Sequence, residues 1–164
     1  MKSLPKIYPF QTTESKIYKL WEKSGYFNPD NLPPTPSGHR QDKFCIIMPP
    51  PNANDPLHIG HAVFITLEDL MIRYNRLRGK KTLWLPGTDH AGFETQVVFE
   101  KKLEKEGKNR FSMSREEFYN AVYKYTQKNK KIVRQQLKMM GASCDWSREK
   151  FTLDKDIINL IYET

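Results

Sequence analysis

Two short apolar runs, FCIIM at 44–48 and KTLWLP at 81–86, each give way to an irregular polar loop and then to a long helical pattern. Runs of five or six residues closed by proline read as buried strands. Between them, from Leu57 to about Arg78, Ile59, Ala62, Val63, Leu67, Leu70, Met71 and Tyr74 recur at spacings of three and four. That periodicity predicts an amphipathic helix burying this face, started after Pro56 and stopped by Gly79. A second helix pattern runs from Phe93 to about Glu106, ahead of Gly107. The order strand, helix, strand, helix specifies an α/β fold with a parallel sheet and flanking helices. Ligands of such sheets lie beyond the carboxyl ends of the strands. PPPNANDPLHIGH and GTDHAG, the latter read as a turn over 87–92, both fall there. The two loops are therefore expected to share one sheet edge and form the site.

The flanking segments are simpler. Residues 14–24 place Ile17, Leu20 and Trp21 at helical spacing before Gly25. Residues 28–42 carry four prolines, which exclude helix and deny ladder hydrogen bonds. Ser114 and Glu117 spell a capping box opening a helix to about Met140, with Phe118, Ala121, Val122, Tyr125, Ile132, Val133 and Leu137 on one face. Gly141 stops it, the stretch CDWSREKFTLD is mostly loop or short extended chain, and Asp154 caps a last helix.

Charge narrows the partners. The 164 residues carry 27 Lys+Arg against 19 Asp+Glu, a net of +8. The whole excess lies between Lys101 and Lys150, with 14 basic against 6 acidic residues. Such a surface attracts polyanions, although a charge run also serves simply as a solvated helix face. No apolar run nears the ~20 residues of a membrane helix, and the N-terminus lacks a signal-peptide core. Two cysteines, Cys45 and Cys144, are too few for a disulfide framework. A reduced, soluble, cytoplasmic protein without membrane association is expected.

The chemistry concentrates in His58-Ile59-Gly60-His61. Two histidines three apart at a helix start share one face, beside free backbone N–H groups and the positive end of the helix dipole. That combination suits phosphate oxygens, and Gly60 lets a flat ring approach the backbone. Three histidines (His58, His61 and His90) could instead hold zinc. The H-E-x-x-H and H-x-H spacings are missing, so no metal site is expected. Asp89 either receives a substrate cation such as an ammonium group or satisfies local N–H groups as a turn residue. Its place opposite the histidine loop favours the ligand role.

PPPNANDPLHIGHA at 49–62, LPGTDHAG at 85–92 and GASCDWSREKFTLD at 141–154 together resemble the class I aminoacyl-tRNA synthetases, in particular their valine-specific branch. ESKIYKLWEKSGYF is similar to that family's usual N-terminal stretch, so the resemblance spans about residues 10–164. It implies a Rossmann-like catalytic domain whose first part would be residues 44–164, after an N-terminal helix and proline-rich loop over 1–43. It implies activation of L-valine by ATP, with Mg2+ travelling with the ATP, and transfer to tRNA(Val). His58 and His61 would be catalytic, and His58, Ile59, Gly60 and His61 would bind ATP. Pro50, Asn52 and Asp89 would bind valine, with Asp89 on the α-ammonium. ANDP at 53–56 departs from the family's commoner Val-Thr-Gly-Ser type of run, at little expected cost since Pro56 is tolerated just before a helix.

The KMSKS loop, the editing insertion and the anticodon-binding domain of that family have no counterpart in these residues. The expectation is thus an N-terminal fragment with half of a split site, inactive alone and monomeric. Two alternatives stay open: a small stand-alone nucleotidyltransferase of the same histidine-glycine-histidine superfamily, or a non-catalytic RNA-binding remnant.

Overall fold

The computed structural model describes residues 6–33 and 42–164. Five helices and four short strands follow in the order α1 (Phe10–Ser24), β1 (Lys43–Ile47), α2 (Ile59–Leu77), β2 (Lys81–Leu85), β3 (Gly87–Thr88), α3 (Gly92–Lys105), α4 (Arg115–Met139), β4 (Lys150–Phe151) and α5 (Lys155–Glu163). Part of the proline-rich stretch, residues 34–41, lies outside the described residues; Pro29 opens a short 3-10 turn over Pro29–Asn31.

β1 and β2 pair in parallel, from Lys43 opposite Lys81 to Ile47 opposite Leu85, with α2 as the crossover. Pro86 has no N–H to offer a ladder, and it separates β2 from β3. β3 then pairs in parallel with β4, Gly87 opposite Lys150 and Thr88 opposite Phe151. The segment GTDHAG is therefore not a simple turn: its first two residues are strand, and Asp89 forms a parallel bridge with Asn52. The expected α/β arrangement with parallel strands is present.

The core gathers Met48, Ile65, Ile72, Trp84, Val133, Leu137, Ala142 and Cys144. α2 and α4 meet one face of the strands through these residues. α4 starts as its sequence prescribes: Glu117 N donates to Ser114 Oγ at 3.2 Å and Ser114 N to Glu117 Oε2 at 2.8 Å. It ends at Gly141, whose φ of 81° is a left-handed value that a side chain would strain. α1 docks on the end of α4 through buried Tyr18, whose hydroxyl donates to Ala142 O at 2.8 Å and accepts from Trp146 Nε1 at 2.7 Å. Leu20, at helical spacing with Ile17 and Trp21, is exposed.

Two larger corrections concern burial. FCIIM is not a buried strand: Cys45 and Ile47 face outward, and Ile47 is 70% exposed. α2 packs against β1 and β2, and alternate residues of β1 remain outside. The second correction is the face of α2. Ile59, Val63, Leu67, Leu70, Met71 and Tyr74 are exposed, whereas Ile65, Ile72 and Asn75 are buried. Polar residues hold the inward side. Glu68 accepts from Trp84 Nε1 at 2.9 Å, Asp69 Oδ1 accepts from Ser143 N at 3.0 Å, and Arg76 reaches Ser143. Burial raises the Glu68 carboxyl above its ordinary range, because the charged form loses water there.

Candidate functional site

Both loops singled out in the sequence converge beyond the carboxyl ends of β1 and β2. Ala53 N donates to Asp89 O at 2.7 Å, and Asp89 N to Pro51 O at 2.9 Å. These two bonds stitch the proline loop to the segment after β3. α4 pins the same loop from behind: Tyr125 Oη donates to Asn54 O at 2.7 Å, and Gln136 Oε1 accepts from Leu57 N at 2.8 Å. Neither residue stood out in the sequence, since both read only as positions on a helix face.

The two histidines build the start of α2. His58 is its N-cap in an extended conformation, and its Nδ1 accepts from Gly60 N at 3.1 Å. His58 N in turn donates to His61 Nδ1 at 3.2 Å. This is a capping box assembled from imidazoles in place of the usual hydroxyl and carboxylate. A backbone N–H can only donate, so both Nδ1 atoms must be unprotonated. Each neutral ring therefore carries its proton on Nε2. The rings lie 4.1 Å apart between centroids. Burial, and then the neighbouring His58, push the His61 imidazole below its ordinary pKa, which keeps it neutral. Gly60 serves this arrangement directly. A Cβ there would stand 2.9 Å from His58 Cε1 and 3.1 Å from Nδ1.

Asp89 is half-exposed at the end of β3. Its Oδ1 accepts from Thr152 Oγ1 at 2.9 Å, so it is held from across the sheet and not by an Asx turn. His90 also meets Thr152, and its carbonyl accepts from Thr95 Oγ1 at 2.6 Å. The chain then turns into α3 through Ala91, whose φ of 55° is an uncommon left-handed value for a residue with a side chain. Asn52 does not point its amide to a free site: its Nδ2 donates to Glu94 Oε2 at 3.0 Å. Pro50 lines a shallow hollow of about 170 Å3 with Ile47, Leu85, Gly87, Thr152 and Ile157. A cleft of about 680 Å3, lined in part by His90, opens between α3 and α4 and is bordered by Phe111, Phe118, Tyr119 and Arg110.

Among the described residues, no three His, Cys, Asp or Glu side chains group so as to hold a metal ion. His90 Nδ1 is engaged with Thr152 Oγ1 at 2.6 Å.

Comparison with known proteins gives this geometry a context. The family described as tRNA synthetases class I (I, L, M and V) matches residues 16–164. The chain belongs to that family. A chloroplastic/mitochondrial valine-tRNA ligase 2 of Arabidopsis thaliana is 49% identical over 152 residues, covering 93% of this chain and 15% of that protein. The valine-tRNA ligase of Carboxydothermus hydrogenoformans is 44% identical over 163 residues, covering 98% of this chain and 18% of its own length. The chain thus spans 15% and 18% of these two curated relatives. Among solved structures, the LeuRS of Agrobacterium radiobacter in a ternary complex with tRNA and LeuAMS superposes with a TM-score of 0.69. It covers 96% of this chain at 19% identity, which speaks for the shared synthetase fold alone.

Within that fold, the basic second half is partly consumed by structure. Arg134 pairs with Glu149, Lys138 with Glu22, and Arg148 with Asp30 and Asp145. No helix among the described residues is long and apolar enough to cross a membrane.

Proposed function

We propose that this synthetase segment receives ATP and L-valine for the formation of valyl-adenylate, the step before transfer of valine to tRNA(Val). The observation that carries the reading is the bridge between Asn52 and Asp89, which brings the histidine cap and the carboxylate to one sheet edge. The names of the relatives supply the amino acid: both are valine-tRNA ligases.

The residues divide the work. His58 and His61 offer Nε2–H donors beside the N-terminal amides of α2, where phosphate oxygens are favoured. His58, Ile59, Gly60 and His61 together form the ATP side. Asp89 receives the α-ammonium of valine, and Pro50 and Asn52 shape the near wall, with Asn52 held by Glu94. The valine carboxylate oxygen then attacks the α-phosphorus in line. A new P–O bond forms as the bond to pyrophosphate breaks. Charge growing on the phosphorus oxygens is met by donors already in place, so catalysis is positioning plus electrostatic stabilisation. Mg2+ bound with ATP would supply neutralisation of the phosphate charge.

The test is valine-dependent exchange of pyrophosphate into ATP by a full-length synthetase carrying this segment. His58→Ala or His61→Ala should lower exchange by ~10²–10³, the scale for losing a transition-state donor. Valine affinity should hardly move. Exchange driven equally by another amino acid would overturn the substrate assignment.

A further inference from the structure

Thr152 follows Phe151, and its own N–H donates to Thr88 O at 3.3 Å, extending the pairing with β3. The parallel register sets its side chain beside Asp89 and His90, 63 and 62 residues earlier in the chain. Three groups meet its hydroxyl. His90 N donates to Oγ1 at 2.9 Å, His90 Nδ1 lies at 2.6 Å, and Asp89 Oδ1 at 2.9 Å.

A hydroxyl has one proton to give and two lone pairs to receive. The backbone N–H of His90 takes one lone pair. An ionised carboxylate can only accept, so the hydroxyl proton goes to Asp89. The His90 ring must then donate from Nδ1 into the second lone pair. Every bond of the hydroxyl is accounted for, and each direction is fixed by the next. The His90 tautomer is therefore the opposite of that at His58 and His61, with Nε2 left as an acceptor. Asp89 is oriented as well. Oδ1 is occupied by the hydroxyl, while Oδ2 takes no hydrogen bond from the described residues.

We infer that Thr152 is the positioning residue of the amino-acid site: its hydroxyl holds Asp89 so that Oδ2 faces the substrate ammonium, and locks His90 as the Nδ1–H tautomer. This deepens the proposed function and rests on Asp89 being the ammonium partner. Thr152 touches no reacting atom. Its contribution is that the carboxylate need not be oriented at the moment valine binds.

Two substitutions separate this role from simple packing. Thr152→Val keeps the shape and removes the hydroxyl, while Thr152→Ser keeps the hydroxyl and trims a methyl. In a full-length synthetase carrying the segment, Thr152→Val should raise the KM for valine about tenfold, the scale of one hydrogen bond to a charged group. The KM for ATP and the kcat at saturating valine should stay within about twofold, and Thr152→Ser should restore the valine KM. In the 164-residue chain, nitrogen NMR of the imidazoles should show His90 protonated on Nδ1 in wild type and in Thr152→Ser. In Thr152→Val it should move toward Nε2. An unchanged valine KM in the valine variant, a serine variant as impaired as the valine one, or a wild-type His90 protonated on Nε2 would each overturn the inference. A wild-type protein that takes up no valine would overturn the valine reading and the positioning role with it. The ring signals would still report whether the hydrogen-bond clamp exists.

Discussion

Gly60→Ala should separate stability from activity. The added Cβ would sit 2.9 Å from His58 Cε1 and 3.1 Å from Nδ1, closer than carbon tolerates, so the imidazole must swing away. Swinging breaks the 3.1 Å bond from Gly60 N and empties one half of the cap. Loss of an N-cap bond costs about 1 kcal/mol. Against this, alanine at the second residue of α2 gains up to about 1 kcal/mol of helix propensity over glycine. The backbone itself has no objection, since Gly60 is not left-handed. The two terms nearly cancel. The melting temperature should move by no more than about 4 °C, taking roughly 2–4 °C per kcal/mol for a chain of this size. Pyrophosphate exchange in the full-length synthetase should nonetheless fall by ~10²–10³, because the Nε2–H of His58 no longer stands where the phosphate charge develops. Paired melting curves and exchange assays decide it. Exchange within threefold of wild type would refute the reasoning that Gly60 exists to keep His58 in place. A melting point lowered by 10 °C would show that the cap matters more to the fold than the ledger allows.

Three further outcomes are expected. Asp89→Asn keeps the size and the bond from Thr152 but removes the charge, so valine binding should weaken by about 2–5 kcal/mol while ATP binding holds; calorimetric titration of each ligand checks both halves, and equal losses would make Asp89 structural. The His61 imidazole is held below its ordinary pKa of 6.5 by burial and by His58, so the unfolded chain binds the proton first. The stability it contributes is complete above that value and is lost as pH falls through the lower folded value. Melting points should therefore drop between pH 7 and pH 5, and His61→Gln should flatten the drop; an identical slope in the variant removes His61 as its source. Tyr18→Phe leaves the partly buried indole N–H of Trp146 without its acceptor and should cost about 1 kcal/mol, read by denaturant unfolding followed through tryptophan fluorescence. A neutral result would mean that water replaces the hydroxyl.

The order of strands and helices, the caps at Ser114 and the convergence of the two loops were legible because each rests on local spacing or on the geometry of parallel sheets. The face of α2 was not legible. That helix is apolar around much of its circumference, with Ile65 and Ile72 on one side and Ile59, Val63, Leu70 and Tyr74 on another. Periodicity favours whichever stripe has more apolar members. The inward side is instead interrupted by Glu68, Asp69 and Arg76, which look solvent-directed in a sequence and in fact hydrogen-bond to Trp84 and Ser143. Partners 16 and 74 residues away cannot be read from a helical repeat. Thr152 escaped for the same reason. It lay inside a stretch that marked the family, but its role depends on a strand register linking residues far apart in the chain.

The two ends of the site depend on very different spans of chain. The histidine cap closes over three residues, so it can form as soon as α2 winds. The carboxylate end waits for a residue 63 positions further on. At about 5–20 residues per second, a ribosome would deliver Thr152 roughly three to thirteen seconds after Asp89. For that interval a nascent chain holds the histidine cap of α2 while the Asp89 carboxylate still lacks its bond from Thr152. The orientation of Asp89 is thus the later-maturing property of this segment, set by β4 arriving alongside β3.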